Sequence, residues 1–340
     1  MKNITIKDVA EKAGVSVTTA SFALNNVSGR VSKNSRRKVI EAAKELSYIP
    51  NLNARSLRSK QNNTVMLVYS EYYLKEQNAS TSQFIIEFIK LTEENNQSVI
   101  IRTTKKWTDI DEAVEEFYSV WHNGQIDGII FMPAFDEVDE RIFEKLYNDY
   151  SVNIAVISTM GGNKKYPTVF MDGYIHMRRC MDYIIKKGYK EVYYIAMEYK
   201  GDEPQRLKAY RDYIVENNIA GKILTYKDIY RSKSELWDIL KPIVYNQTED
   251  IAFACWNDVD AINLIELLNL KLKIRKNRIG IMGFDNMRAS AHTSPALTTV
   301  NYPFDKAAQK ALSIISKGEI SKQNPPSIEI YGDIVERESL

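Results

Sequence analysis

The chain has 340 residues, of which 44% are hydrophobic and 26% charged, a balance typical of folded domains and not of disordered or membrane-spanning chains. At this length we expect two or three domains. The net charge is +2, but residues 1–60 carry a net +8 and the remaining residues −6. A basic segment on an acidic body is typical of polyanion binders, although a solvated basic surface would have the same charge.

Several classes of protein are disfavoured by what the sequence lacks. Cys180 and Cys255 lie far apart and predict neither a disulfide framework nor a zinc site. The N-terminus has no uninterrupted apolar stretch of a secretion signal, and no apolar run approaches the roughly 18 residues of a membrane span. The sequence therefore predicts a cytoplasmic protein without a metal site or a cofactor.

The first fifty residues predict three short helices. Thr5 can cap a helix over 6–13 with Asp8 as its partner, and Gly14 suits the left-handed residue that closes it. Ser16 can cap a second helix over 17–24, and Ser32 a third over 33–46. Two short helices joined by a three-residue turn predict a helix-turn-helix unit.

The second helix has an inner and an outer face. Ala20, Ala23 and Leu24 are predicted to pack inward. The outer stripe is predicted to contact base edges and comprises Val17, Thr18, Ser21, Phe22 and Asn25. Hydroxyls can bond to bases or phosphates, and thymine methyls accept apolar contact. A core position for Phe22 is the alternative. Arg36, near the start of the third helix, is predicted to attract phosphate.

Residues 5–25 read TIKDVAEKAGVSVTTASFALN, and 31–59 continue as VSKNSRRKVIEAAKELSYIPNLNARSLRS. This segment resembles the opening of the lactose/galactose-repressor family of transcription regulators. The resemblance implies a DNA-binding headpiece at 1–50 and a hinge at 51–60 that becomes helical on operator DNA. It also implies further DNA contacts, at Thr5, Ser16, Ser32, Tyr48, Asn51, Ala54, Arg55, Leu57 and Arg58.

Leu57 stands where the family inserts a leucine into the minor groove. An apolar wedge there would bend the duplex towards Arg55 and Arg58, although Leu57 could also be an ordinary linker hydrophobe. Phe22 departs from the family, which often has arginine at this position. We therefore expect less guanine recognition and more thymine-methyl contact.

Beyond residue 60, apolar runs alternate with helical stretches, which predicts parallel, doubly wound sheets. The predicted strands cover 64–70, 98–102, 128–132, 154–158, 169–172, 192–196, 252–256 and 279–284. The predicted helices include 83–95, 110–122, 174–187, 205–217, 233–245 and 258–270.

The family resemblance continues through IDGIIFMP (126–133), IAFACWNDVDAI (251–262) and IGIMGFDNMRASAHTSPALTTVNYP (279–303). It implies a periplasmic-binding-protein-like α/β core at 61–340, with two Rossmann-like lobes joined by three crossover strands. The N-lobe is expected at about 61–160 and 293–322. The C-lobe is expected at about 161–292 and 323–340. The ligand would lie between the lobes, beyond the carboxyl ends of the strands.

The strand ends and the family positions together predict an effector site formed by Glu71, Tyr73, Asp172, Glu198, Arg206, Tyr230, Trp256, Asn257 and Asp285. Carboxylates and arginine can bond to sugar hydroxyls, and aromatic rings can stack on a sugar. Asp172 and Asp258 could instead only cap helices, and Trp256 could be core. Glu71 and Glu198 would make the site acidic, which favours a neutral sugar over a sugar phosphate.

No catalytic motif is recognisable, and the three histidines, His122, His176 and His292, are expected in surface or capping roles. The sequence therefore predicts a non-enzymatic regulator, a repressor of sugar-metabolism genes. It would bind double-stranded operator DNA as a two-fold homodimer. Because no leucine heptads follow the core, a dimer is favoured over a coiled-coil tetramer. The alternatives are a regulator that responds to a protein or a non-sugar ligand, and a solute-binding protein.

Overall fold

The computed structural model describes residues 4–24, 29–46, 48, 62–71, 79–104, 109–133, 138–158, 161–197, 204–226, 233–272, 278–316 and 324–340. The chain divides into two compact units, Met1–Asn62 and Asn63–Leu340. None of the described helices has the length and apolarity needed to cross a membrane.

The described residues of the first unit form three helices, α1 (Ile6–Ala13), α2 (Val17–Leu24) and α3 (Lys33–Glu45), as the sequence predicts to within one residue. Their buried contact consists of small residues: Val9, Ala10, Ala13, Ala20, Ala23, Val39, Ala42 and Ala43. Because most of these are alanine, the three short helices can approach one another closely with little apolar area buried.

The second unit has two six-stranded sheets. The first sheet contains β1 (Thr64–Tyr69), β2 (Ser98–Thr103), β3 (Gly128–Met132), β4 (Ile154–Ser158), β5 (Thr168–Phe170) and β11 (Ser327–Glu329). Its order is β11-β5-β4-β3-β1-β2, and every pair is parallel. Its helices are α4 (Ala79–Glu94), α5 (Ile110–His122), α6 (Glu140–Glu144), which continues as a π-helical turn (Lys145–Asp149), and α11 (Phe304–Ser316).

Helices cover both faces of the first sheet. Phe84 of α4 and Ile315 of α11 belong to the apolar cluster on one face, and Phe117 of α5 belongs to the cluster on the other. Burial on both faces explains the continuous apolar runs of β1, β3 and β4, which is the pattern of a parallel sheet.

The second sheet contains β6 (Glu191–Met197), β7 (Ile223–Tyr226), β8 (Ile251–Cys255), β9 (Ile279–Asp285), β10 (Thr298–Asn301) and β12 (Ile334–Val335). The order is β12-β10-β9-β8-β6-β7, with only the β10–β12 pair antiparallel among the described strands. Its helices are α7 (Gly173–Lys186), α8 (Gln205–Glu216), α9 (Lys233–Asn246) and α10 (Asp258–Lys271), with a 3-10 turn at Arg288–His292. Parallel pairing puts the carboxyl ends of β6, β8 and β9 at one edge.

The chain crosses between the sheets three times, after β5, after β10 and after β11. The lobe boundaries differ from the predicted ones. β5 and β11 lie in the first sheet although 161–292 and 323–340 were predicted for the C-lobe, and β10 lies in the second although 293–322 was predicted for the N-lobe. Strands of three or four residues carry too little local pattern to indicate their partner, so pairing alone determines their sheet.

Candidate DNA-binding surface and effector site

The helix starts of the headpiece are fixed by local hydrogen bonds. The Asp8 carboxylate accepts hydrogen bonds from the backbone N–H of Thr5 at 2.7 Å and from its hydroxyl at 2.6 Å. Ser16 Oγ accepts from the N–H of Thr19, and Ser32 Oγ from the N–H of Ser35, both at 3.1 Å. Thr5, Ser16 and Ser32 therefore have structural roles at helix N-termini, where backbone N–H groups also favour phosphate. Their DNA contacts stay a prediction.

The outer face of α2 contains Thr18, which is exposed, and Ser21 and Phe22, which are half-buried. Among the described residues, Phe22 belongs neither to the apolar headpiece cluster nor to the side chains packed against it. Its contact with base edges and the alternative of a core position both stay predictions. Val17 is different: it is half-buried and packs against the cluster. The prediction that Val17 belongs to the exposed stripe is wrong in this respect, because the first residue of α2 lies over the small alanine core.

The basic residues of the headpiece gather on α3. Arg36 is half-buried, and Arg37 and Lys38 are exposed. Tyr48 packs partly buried against the headpiece cluster. The remaining predicted DNA contacts lie outside the described residues: Asn25, Asn51, Ala54, Arg55, Leu57 and Arg58.

Arg206, in the first turn of α8, lies at the carboxyl edge of the second sheet. Its guanidinium carbon is 4.1 Å from the ring centroid of Trp256 and 4.3 Å from that of Phe284. Its Nη1 donates a hydrogen bond to the Trp256 carbonyl. Trp256 and Phe284 lie at the ends of the paired strands β8 and β9, so the sheet itself brings them to the arginine. Two aromatic contacts and a hydrogen bond hold the guanidinium in one place.

Asp285 ends β9 and has a φ of 109°, followed by Asn286 at 55°. A non-glycine residue with positive φ is strained, and such residues cluster at ligand sites. Nearby, the side chain of Asn286 accepts from Arg337 Nη2 at 2.7 Å and donates to Asn301 at 3.2 Å. The turn is thus held by residues that are distant in sequence, Asn301 of β10 and Arg337 beyond β12.

Asn257 and Asp172 both cap helices. Asn257 Oδ1 accepts from the Asp260 N–H at 2.9 Å at the start of α10, and Asp172 Oδ1 accepts from the Ile175 N–H at 2.9 Å at the start of α7. The capping role that was the alternative for Asp172 is therefore present, and its effector role stays a prediction. Glu71 is exposed and donates its backbone N–H to Thr104 Oγ1 at 3.0 Å. Tyr73, Glu198 and Tyr230 lie outside the described residues.

Asp258 neither caps a helix nor faces solvent. Its carboxylate accepts from the N–H of Met287 at 2.7 Å and from the hydroxyls of Ser290 and Thr299. Burial raises its pKa to about 6, although these hydrogen bonds lower it. A Cβ at Gly283 would lie 2.2 Å from the carboxylate, so β9 needs a glycine there. Asp258 therefore ties the start of α10 to β10 and to the 3-10 turn that follows β9.

His176 contradicts the expectation of a surface role, because it is 1% exposed. Its Nδ1 bonds to the Asp172 carbonyl at 2.7 Å, and its Nε2 accepts from the Gly332 N–H at 3.0 Å. This arrangement requires a neutral ring, and burial lowers the pKa of His176. The side chain links the crossing after β5 to the crossing after β11.

Among the described residues, no group of His, Cys, Asp and Glu is arranged to hold a metal ion. Both cysteines are buried, and burial raises the pKa of the Cys180 thiol to about 12. Neither thiol is therefore a reactive nucleophile.

Two family profiles match the chain in order. The profile of bacterial regulatory proteins of the lacI family matches residues 5–51, and that of the periplasmic binding protein-like domain matches residues 181–340. Together the two matches cover more than half of the sequence, and one match lies in each structural unit. The chain belongs to the LacI family. This LacI-family protein is accordingly a DNA-binding transcriptional regulator and not an enzyme.

Curated relatives match over nearly the whole length. A probable HTH-type transcriptional repressor, ExuR, of Bacillus subtilis is 25% identical and covers 93% of both chains. An HTH-type transcriptional regulator, RegA, of Clostridium saccharobutylicum is 27% identical over 98% of both chains. Among solved structures, a Lac repressor dimer bound to operator aligns with a TM-score of 0.72 at 21% identity over 99% of both chains. That likeness establishes the fold of this LacI-family chain.

Sequence reasoning missed several residues beside Arg206. Phe284 contacts the guanidinium, and the Tyr302 hydroxyl and one Asp260 oxygen are buried without a hydrogen-bond partner among the described residues. Tyr302 and Asp260 both feel the charge of Arg206. Two aspartates, Asp258 and Asp260, follow a predicted strand, and this pattern could have indicated a polar site. The sequence does not show which of the two carboxylates is satisfied by hydrogen bonds.

Proposed function

We propose that this LacI-family regulator is a repressor that binds operator DNA as a homodimer and changes its operator affinity when a small molecule, a neutral sugar, occupies the site around Arg206. The observation that carries the proposal is the arrangement of Arg206 against Trp256 and Phe284 at the strand ends. Arginine offers bidentate donors to hydroxyl oxygens, and the flanking aromatic rings offer apolar surface to the face of a sugar.

The DNA half of the proposal uses the outer face of α2. Thr18, Ser21 and Phe22 would meet base edges in the major groove, with Arg36 on the backbone. Phe22 supplies apolar contact for a thymine methyl and no donor for guanine. Leu57, outside the described residues, would enter the minor groove between the two half-sites.

A second copy of the chain would cover the edge of the first sheet. Ile86 and Ile89 of α4 are 54% and 36% exposed, and Ile101 of the edge strand β2 is 45% exposed. Edge strands of parallel sheets are normally covered, and exposed isoleucines make poor solvent surface. Two-fold pairing there would present two headpieces to a pseudo-palindromic operator.

Thermodynamic linkage connects ligand binding to operator binding. A ligand that binds better to the DNA-incompetent arrangement must weaken operator binding, and DNA weakens ligand binding by the same factor. Because the target is chromosomal DNA, we expect the protein to act in the cytoplasm.

The experiment is operator selection from random duplexes with purified protein, followed by titration of the selected duplex in the presence of glucose, galactose, cellobiose, galacturonate or adenine. We expect a palindromic consensus rich in A·T opposite α2, and loss of operator affinity with one sugar. Phe22→Ala should weaken the consensus, and Arg206→Ala should remove the sugar response while operator binding remains. Absence of any sequence preference would refute the proposal. A response to adenine alone would refute the part of the proposal that identifies the effector as a sugar.

A further inference from the structure

The carboxylate of Asp260 is buried and only half satisfied. Asp260 lies in the first turn of α10 and is 4% exposed. Its Oδ1 accepts a hydrogen bond from the Tyr226 hydroxyl, but Oδ2 has no hydrogen-bond partner among the described residues. A buried carboxylate oxygen without a donor destabilises a fold, so its presence calls for an explanation other than stability.

Asp258, two residues earlier on the same helix, provides the contrast. Its two oxygens accept three hydrogen bonds from Met287, Ser290 and Thr299. Both aspartates are buried at the same helix start, yet only Asp258 has both carboxylate oxygens satisfied by the described residues. The unsatisfied oxygen of Asp260 is therefore available to something that the chain itself does not supply.

The surroundings of Asp260 are those of the proposed effector site. Its N–H donates to Asn257 Oδ1 at 2.9 Å, and Asn257 follows Trp256 directly. Tyr226, which holds Oδ1, ends β7, the strand paired with β6. The positive charge of Arg206 acts on the Asp260 carboxylate, although the two groups form no ion pair in the described structure.

We propose that Asp260, positioned by Tyr226, is an additional effector contact that accepts a hydrogen bond through Oδ2 from a hydroxyl or amino group of the ligand. The inference rests on the proposed function, because it places the ligand beside Arg206. An acceptor oxygen pairs with a donor and repels a carboxylate or phosphate group, so this end of the site selects for the neutral or cationic end of a ligand.

A first test needs no ligand. Burial raises the pKa of Asp260 to about 7, so the carboxyl is protonated in the folded protein at pH 5 and ionised at pH 8. Asp260→Asn removes a buried, half-satisfied charge and should raise the melting temperature at pH 8 by roughly 3 °C, with a much smaller change at pH 5. Asp258→Asn is the matched control and should lower the melting temperature at pH 8, because it disrupts satisfied hydrogen bonds. A destabilised Asp260→Asn at pH 8 would overturn the inference.

A second test uses glucose, galactose, galactosamine and cellobiose as probes in calorimetric titrations. For a probe that binds the wild type, Asp260→Asn should weaken binding at least about tenfold, and Tyr226→Phe should weaken it less. A deoxy analogue that lacks the contacting hydroxyl should bind the wild type and Asp260→Asn equally. If no probe binds, the pH-dependent melting temperatures decide the question.

The outcomes separate this inference from the function on which it rests. Loss of probe binding in Arg206→Ala but not in Asp260→Asn would overturn the role of Asp260 and leave the effector site in place. Probe binding that depends on both residues but never alters operator affinity would support the contact and count against the proposed function.

Discussion

In the headpiece, the hydrogen bonds that set the helix starts join residues three positions apart: Thr5 with Asp8, Ser16 with Thr19 and Ser32 with Ser35. In the second unit, Asn63–Leu340, the hydrogen bonds of Arg206, Asp258 and His176 reach partners 50, 41 and 156 positions away. The first surface is thus specified by short stretches of sequence, and the second depends on the packing of distant segments. The described part of the headpiece also buries few large side chains, so this domain has little stability to lose.

The largest expected effect is in the core of the second unit. Phe131 of β3 is fully buried and lies 5.1 Å from Phe117 and 4.9 Å from Phe143, measured between ring centroids. Phe131→Ala should lower the free energy of unfolding of the core by about 3–5 kcal/mol, because it removes apolar burial and leaves a cavity. Scanning calorimetry of the whole chain should show this loss in the core transition alone. An equal loss in the headpiece transition would mean that the two units unfold together.

In the headpiece, a smaller loss of free energy should remove a larger share of the total stability. Val39 is fully buried among alanines, and Val39→Ala should cost roughly 2 kcal/mol, a large part of the stability of so small a domain. Circular dichroism at 222 nm and DNA affinity at low salt would report the loss. Ile40→Ala is the matched control, since Ile40 is 41% exposed. Similar losses for both variants would contradict the described packing of α3.

His176 should make the core sensitive to pH. Burial lowers the pKa of His176, so the unfolded chain takes up a proton near pH 6.5 before the folded protein does. The stability that the neutral ring provides is present above pH 6.5 and is lost as the pH falls below it. Asp258 and Asp260 have the opposite effect on the free energy of unfolding. Their pKa values are raised to about 6 and about 7, so the folded protein takes up their protons first and gains stability relative to the unfolded chain as the pH falls.

Because the aspartates also titrate in this range, the contribution of the histidine is measured by comparing the wild type with His176→Gln. The free energy of unfolding of both proteins is measured in urea from pH 5 to pH 8. We expect the advantage of the wild type to shrink as the pH falls. A difference that stays constant over this range would contradict the prediction, because it would show that the ring binds its proton at the same pH in the folded and the unfolded protein.

The smallest expected effect concerns a single cap. Ser32→Ala removes the acceptor for the Ser35 N–H at the start of α3 and should cost about 1 kcal/mol of headpiece stability. Thr18→Ala removes an exposed hydroxyl on α2 and should change stability by less than about 0.5 kcal/mol. Thermal denaturation of both variants would compare them, and a loss of equal size would argue against the capping role.

The sequence by itself determined the headpiece helices, their caps and the alternation of strands and helices in the core, because these features depend on neighbours within one or two turns. It also placed Arg206, Trp256, Asn257 and Asp285 at helix starts and strand ends. Only the tertiary structure decided that Phe284 contacts Arg206, that His176 is buried between two crossings, and that β5, β10 and β11 pair as they do. Asp258 and Asp260 show why: both are acidic residues at one helix start, and whether a buried carboxylate is satisfied depends on residues some thirty to forty positions distant that no local pattern reveals.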